Sequence, residues 1–169
     1  TGGDSTSDVD INDAFSISAG TFNAPAGIMT VSISFAVSGT GAFAEGTGTV
    51  TFDTNTNGTL NSNVTETFNN LKFNKASGFG TTISDGDTVT VNGTLTLTEA
   101  WIQSSTSGGT STLNAKGPIS VGAGFDGGYL TGTTYVSALL IDGAGDQSFA
   151  LPAGAFLPKT TLNQSATTI

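Results

Sequence analysis

Apolar residues alternate with polar ones over short runs along most of this chain, and the runs end at Gly, Asn-Gly, Asp-Gly or Ser-Gly steps. Alternation of period two is the mark of a strand with one buried face. No window sustains apolar spacing at i, i+3, i+4 and i+7, and the straight-chain helix formers Glu, Lys, Arg and Gln are scarce. The pattern predicts a protein that is almost wholly β.

The runs also repeat. Val9, Ile11, Phe15 and Ile17 set a spacing of two, four and two, and Met29, Val31, Phe35 and Val37 reproduce it twenty positions on. Val89, Val91, Leu95 and Leu97 show it again, and Ile119, Val121 and Phe125 form a partial copy. "GTFNAPAGIMTV" aligns without gaps on "GAFAEGTGTVTF", with Thr40 as a one-residue turn insertion, and Val50 and Phe52 step to Leu71 and Phe73. A fixed period of this length is the signature of a solenoid.

Residues two apart in a strand share a face, while the four-residue step carries the chain round a corner. Three short strands then make one coil, and stacked coils align their inward residues into apolar columns that no single coil could bury. The expected architecture is a parallel β-helix of about 6–7 coils with a 20–23-residue period. Coils are expected near 8–26, 27–46, 47–70, 71–87, 88–110, 111–132 and 133–169, after a polar segment at 1–8. An antiparallel β-sandwich is the alternative, since short strands and Gly-rich turns suit it too.

Composition narrows the chemistry. The 169 residues carry a net charge of −9, with no Cys and no His, and with Lys72, Lys75, Lys116 and Lys159 as the only cations. Thiol and imidazole chemistry are thereby excluded, as are disulfides and zinc sites built on those ligands. An acidic chain without Arg is a poor partner for nucleic-acid phosphates or an anionic membrane, and no apolar stretch is long enough to insert as a helical span. Abundant Thr, Ser, Asn and Gly with few cations suit an extracellular or cell-surface location. The polar start "TGGDSTSD" has no apolar leader, which fits the mature form of an exported chain.

The segment "GTVTF", then Phe68-Asn69-Asn70-Leu71-Lys72-Phe73-Asn74-Lys75, then "VTVNGTLTL" (89–97) resembles the repeats of large bacterial surface and secreted proteins. The resemblance extends over nearly the whole chain from Val9. It implies a right-handed parallel β-helix of the adhesin or autotransporter-passenger kind, and it carries no catalytic residues. Ser32-Ile33 departs from the pattern where a Gly or Asn turn is usual, which implies a remodelled corner. "SGFGTTISDG" and "GGYLTGTTYVSA" read as inserted matter.

Candidate sites are few. Asp4, Asp8, Asp10 and Asp13 place oxygen ligands at near-alternate positions, a pattern that suits calcium, although a solvated edge explains them equally. No other cofactor is indicated. Asp85 and Asp87, and Asp142 and Asp146, lie in Asp-Gly contexts that read first as turns rather than as catalytic acids. "GAGFDGG" holds one partial copy of a calcium nonapeptide, a motif that works in tandem. Thr88, Thr90, Thr94, Thr96 and Thr98 suggest an ice-binding row, but the sequence places them in a single coil. Trp101, Phe125, Tyr129 and Tyr135 are the aromatics expected at turns or on the surface, where an exposed strip would stack on sugar rings or bury against another subunit, with packing in the core or at a corner as the default reading.

Neither end offers an amphipathic helix or a charged cap, so a longer protein or a neighbouring copy is expected to cover each terminal coil. The functional expectation is a non-catalytic extracellular structural protein, a solenoid stalk or filament subunit that stacks head to tail with itself. The alternative is an adhesin-type module that recognises glycan or a surface. A polysaccharide-active enzyme is a distant third, because the chain lacks a clear acid pair.

Overall fold

The computed structural model describes residues 7–106, 109–127, 138–144, 147 and 149–163. Its strands follow the alternation. In the first coil β1 (Val9–Ile11) precedes β2 (Phe15–Asn23), which is long enough to run over two faces, and β3 (Ile28–Val31) and β4 (Ser34–Ala44) repeat this arrangement. The third coil has one strand per face: β5 (Thr49–Phe52), β6 (Gly58–Asn61) and β7 (Thr65–Phe68). The fourth follows with β8 (Asn70–Asn74), β9 (Gly80–Ile83) and β10 (Thr88–Val91). Then come β11 (Leu95–Ser104) and β12 (Thr112–Ala115), β13 (Ile119–Phe125) and β14 (Ala138–Ile141), and finally β15 (Lys159–Leu162).

Every pairing among these strands is parallel and joins a strand to its equivalent one coil away. The protein is therefore an all-β solenoid of about seven turns with a period near 21 residues. The antiparallel sandwich is excluded.

Inward residues form continuous columns. On the first face Val9, Met29, Val50, Leu71, Leu95 and Ile119 lie in register, flanked by Ile11, Val31, Phe52, Phe73, Leu97 and Val121. The second face stacks Phe15, Phe35, Leu60, Ile83 and Ser104. The third stacks Phe68, Val91, Ala115, Ile141 and Leu162. Phe22 and Phe43 extend this last column backwards, with rings stacked at 6.1 Å, and Phe43 lies 5.4 Å from Phe68. Apolar atoms removed from water in this way supply the main stabilisation of each coil.

The register corrects the expected coil boundaries after residue 87. Val89 and Val91 belong to the third face of the fourth coil, while Leu95 and Leu97 open the first face of the fifth. Ile119 accordingly pairs with Leu95 rather than with Val89. The two-four-two spacing describes passage round a corner without saying which corner, so the copy at 89–97 had slipped by one face. The insertion near Thr40 is real but sits just before it. Ile17 pairs with Val37 and Ala19 with Thr40, so Ser18 opposes two residues, and Gly39 takes a left-handed φ of 58° to absorb the extra one.

Two corners carry specific polar ties. At the corner from third to first face, the Asn69 Nδ2 donates to the Thr47 carbonyl at 2.6 Å. The Asn70 Nδ2 donates to the Gly48 carbonyl at 3.2 Å, and its Oδ1 accepts the Thr94 N–H at 2.8 Å. One Asn pair thus satisfies backbone groups of the coils before and after it. At the corner from first to second face, where Ser32-Ile33 departs from the usual turn, Lys75 is 0% exposed. Its ammonium donates to the Ser32 carbonyl at 3.1 Å and the Thr56 carbonyl at 3.2 Å, spanning three coils. Burial pushes its pKa down to about 8, against the opposing charge of Asp53.

Two predictions follow from the corners. The unfolded chain holds the Lys75 proton up to its ordinary pKa of 10.5, whereas the folded chain releases it near 8. The unfolded state therefore binds more protons between those values, and stability rises with pH across that window by at most roughly 3 kcal/mol. Urea denaturation at pH 7.5 and 10.5 should show a gain in the native protein that Lys75→Met lacks. Val64, at the corner before β7, has a φ of 84° although it is β-branched and 68% exposed. Val64→Gly relieves that strain and should raise stability by about 1 kcal/mol in thermal denaturation.

Candidate interaction surfaces

Of the described N-terminal aspartates, two accept backbone N–H groups and the third faces solvent. The Asp8 carboxylate accepts the Ile28 N–H at 2.8 Å, capping the start of β3, and Asp13 accepts the N–H of Ala14 at 2.9 Å. Asp10 projects outward from β1 and is exposed. Asp4 lies outside the described residues. Among the described residues no group of three carboxylates is placed to hold a metal ion.

Trp101 follows the packing reading rather than the exposed one, and so does Phe125, which is fully buried. Trp101 is only 5% exposed, although its neighbour Ile102 is the one that enters the core. The indole lies over Gly80 of the preceding coil, where any Cβ would collide with the ring, and its Nε1 donates to the Gly78 carbonyl at 3.4 Å. The ring is thus spent on packing one coil against the next and offers no open platform to a sugar. Tyr129 and Tyr135 fall outside the described residues, as does Asp146.

The remaining acids serve turns and ladders. Gly86 has a φ of 81° between Asp85 and Asp87, and the Asp87 N–H donates to the Ser84 carbonyl at 3.1 Å, closing the turn. Asp85 accepts the Thr110 N–H at 2.6 Å, and this bond is the first cause holding its carboxyl below the ordinary range. The buried Asp87 accepts the Ser62 N–H at 2.7 Å. Asp142 is held low chiefly by Lys116, 2.8 Å away, and it also accepts from Asn163 at 2.9 Å, so three successive coils are linked along one edge. Glu66, which sequence reading missed, occupies an inward column opposite Val89. Desolvation raises its carboxyl pKa, the Thr67 N–H opposes that shift, and nearby Glu45 adds to it. Only the strand register identifies it as an inward acid.

The outer walls also change with the register. Thr88 and Thr90 lie in register with Thr65 and Thr67 and with Thr112 and Asn114, giving a small uncharged patch of threonines across three coils of the third face, with Asn114 itself buried. Thr96 belongs instead to the first face, opposite Lys72 and Ser120. The expected single row is thus divided between two walls. An open concavity of about 480 Å³ lies at the edge of β13, lined by Ile119, Ser120, Val121, Phe149 and Ala150, with no charged side chain among them.

The two ends of the stack complete the surface. Among the described residues β1, β2, β7, β13 and β15 each have a strand partner on one side alone; β7 lies inside the stack, where the second half of β4 does not continue its ladder. The inward residues Val9, Ile11, Phe15 and Phe22 are only partly buried, whereas Met29, Val31 and Phe35 one coil further in are fully buried. At the other end Leu162 is 69% exposed and Phe156 is 61% exposed. No protein-family model, curated protein or solved structure gives a significant match to this chain.

Trp101→Ala should lower stability by about 3 kcal/mol in urea denaturation, because it empties the space over Gly80. An exposed ligand-stacking ring would instead leave stability nearly unchanged.

Proposed function

We propose that this chain is a non-catalytic structural protein, an extracellular solenoid stalk or filament subunit whose coils stack head to tail on those of another copy. The observation that carries the reading is the state of the two terminal coils. Among the described residues β1, β2 and β15 are paired on one side alone, and the inner coils show how such an edge is met by an equivalent parallel strand. Unpaired edges of this kind are templates for strand addition. A heterologous contact that repeats without closing generates a filament. The extracellular placement rests on the resemblance to bacterial surface repeats and on the acidic, Thr-, Ser- and Asn-rich composition. The burial of Trp101 and Phe125 leaves the adhesin alternative without two of the aromatics proposed as sugar contacts.

Electron microscopy of the purified protein tests the reading. Stacks should show an axial rise near 4.8 Å per coil, or about 34 Å for seven coils. A monomer at all concentrations that binds components of a glycan array would overturn it.

A further inference from the structure

We propose that the solenoid contains a proton-sensitive seam on its third face, between the second and third coils, where uptake of a proton by Glu66 tightens the packing of β7 against β4.

The seam arises where two kinds of coil meet. In the first two coils one long strand, β2 or β4, runs over the second and third faces through a bulge. Each returns to the first face through a longer corner, Ala24-Pro25-Ala26-Gly27 or Glu45-Gly46-Thr47-Gly48. In the third coil the two faces are separate strands, and Asn69 alone stands between β7 and β8. The first-face ladder β3–β5–β8 crosses this junction unbroken, and the first half of β4 pairs with β6. The second half of β4 does not pair with β7, which is bonded to β10 alone. Side chains close the junction instead. The Phe35 and Phe43 rings lie 5.3 and 5.4 Å from Phe68, and the Asn63 Nδ2 donates to the Gly39 carbonyl at 3.3 Å.

Glu66 stands at this seam, in a column otherwise continued by Val89, Leu113 and Leu139, and is only 8% exposed. The Thr88 and Asn92 N–H groups donate to the Val64 and Phe68 carbonyls, so the backbone of Thr65 and Thr67 is turned away from β10, towards β4. With no β4 carbonyl to meet it, the Thr67 N–H donates to the Glu66 Oε1 at 3.0 Å. Glu45, in the long corner after β4, is the ionisable group whose charge acts on Glu66, and Asn92 holds it with a 3.1 Å bond. From β10 the facing residue is Val89, and Asp87 before that strand is bonded to the Ser62 N–H. Lys72 and Lys75 belong to the first face and its corner. Two like charges therefore meet, one of them desolvated, at the place where the backbone ladder is missing.

Desolvation and Glu45 both favour the protonated carboxyl, against the opposing Thr67 bond. A protonated Glu66 keeps an oxygen to accept from Thr67 and no longer repels Glu45. The folded chain thus holds this proton more tightly than the unfolded chain, whose ordinary value is 4.5. Stability is gained as pH falls from neutral through the raised value towards 4.5, a window separate from that of Lys75.

Urea denaturation and hydrogen–deuterium exchange of the full chain test the seam. Glu66→Gln should raise the urea midpoint above that of the native protein at pH 7.5, with the margin shrinking steadily towards pH 4.5. At pH 7.5 the segments 40–45 and 65–68 should exchange faster in the native protein than in the variant, while β3 and β5 exchange alike in both. Comparison at one pH cancels the intrinsic pH dependence of exchange. Glu45→Gln, at a partly exposed site, removes only the repulsion and should give a smaller gain of the same sign. A margin that does not change with pH, a protection change spread evenly over the ladders, or no gain in Glu45→Gln would overturn the proposal.

Discussion

The structure depends on one constraint: each strand must lie parallel and in register with its equivalent one coil away. The backbone hydrogen bonds of a solenoid run along its axis, so no coil satisfies its own strands. In-register stacking also brings like side chains into columns. Phe52 on Phe73, at 5.4 Å and nearly coplanar, and Phe22 on Phe43 show the result. A slip of one residue would turn every inward side chain outward, and the apolar columns therefore help to specify the register that they stabilise.

Corners bear the remaining polar cost. The chain must turn three times per coil, and each turn exposes backbone groups that the sheets do not pair. This protein meets that demand with side chains reaching along the axis. Asn69 and Asn70 join coils on either side, Asp87 and Asp85 cap neighbouring backbone, and Lys75 spans three coils from a buried position. The same residue types that sequence reading treats as turn formers or candidate ligands are thus used as inter-coil ties. A carboxylate whose oxygens already accept backbone N–H groups has fewer lone pairs to offer a cation or a substrate.

Much of the fold was legible before the structure. The quartets 9–17 and 29–37, and the step from Val50 and Phe52 to Leu71 and Phe73, fall in their expected columns, because period-two alternation and a repeat near 21 residues leave few architectures open. The phase of 89–97 was not legible, since one spacing fits every corner. The inter-coil roles of Trp101 and Lys75 were not legible for a related reason. Their burial comes from the previous coils, at Gly80 and Gly78 for the indole and at Ser32 and Thr56 for the ammonium, which are 19 to 43 residues distant in sequence.

The sequence by itself determined the class of structure: β throughout, repeating, without thiol or imidazole chemistry, and acidic. These properties reside in composition and in local spacing, and neither needs a distant partner to be read. Tertiary structure alone decided which face each pair of apolar residues occupies, that Glu66 points inward, that Trp101 is covered, and which strands are left at the ends. Each of these depends on the position of the neighbouring coil, and a turn with one extra residue shifts that position without disturbing the local pattern that encodes it.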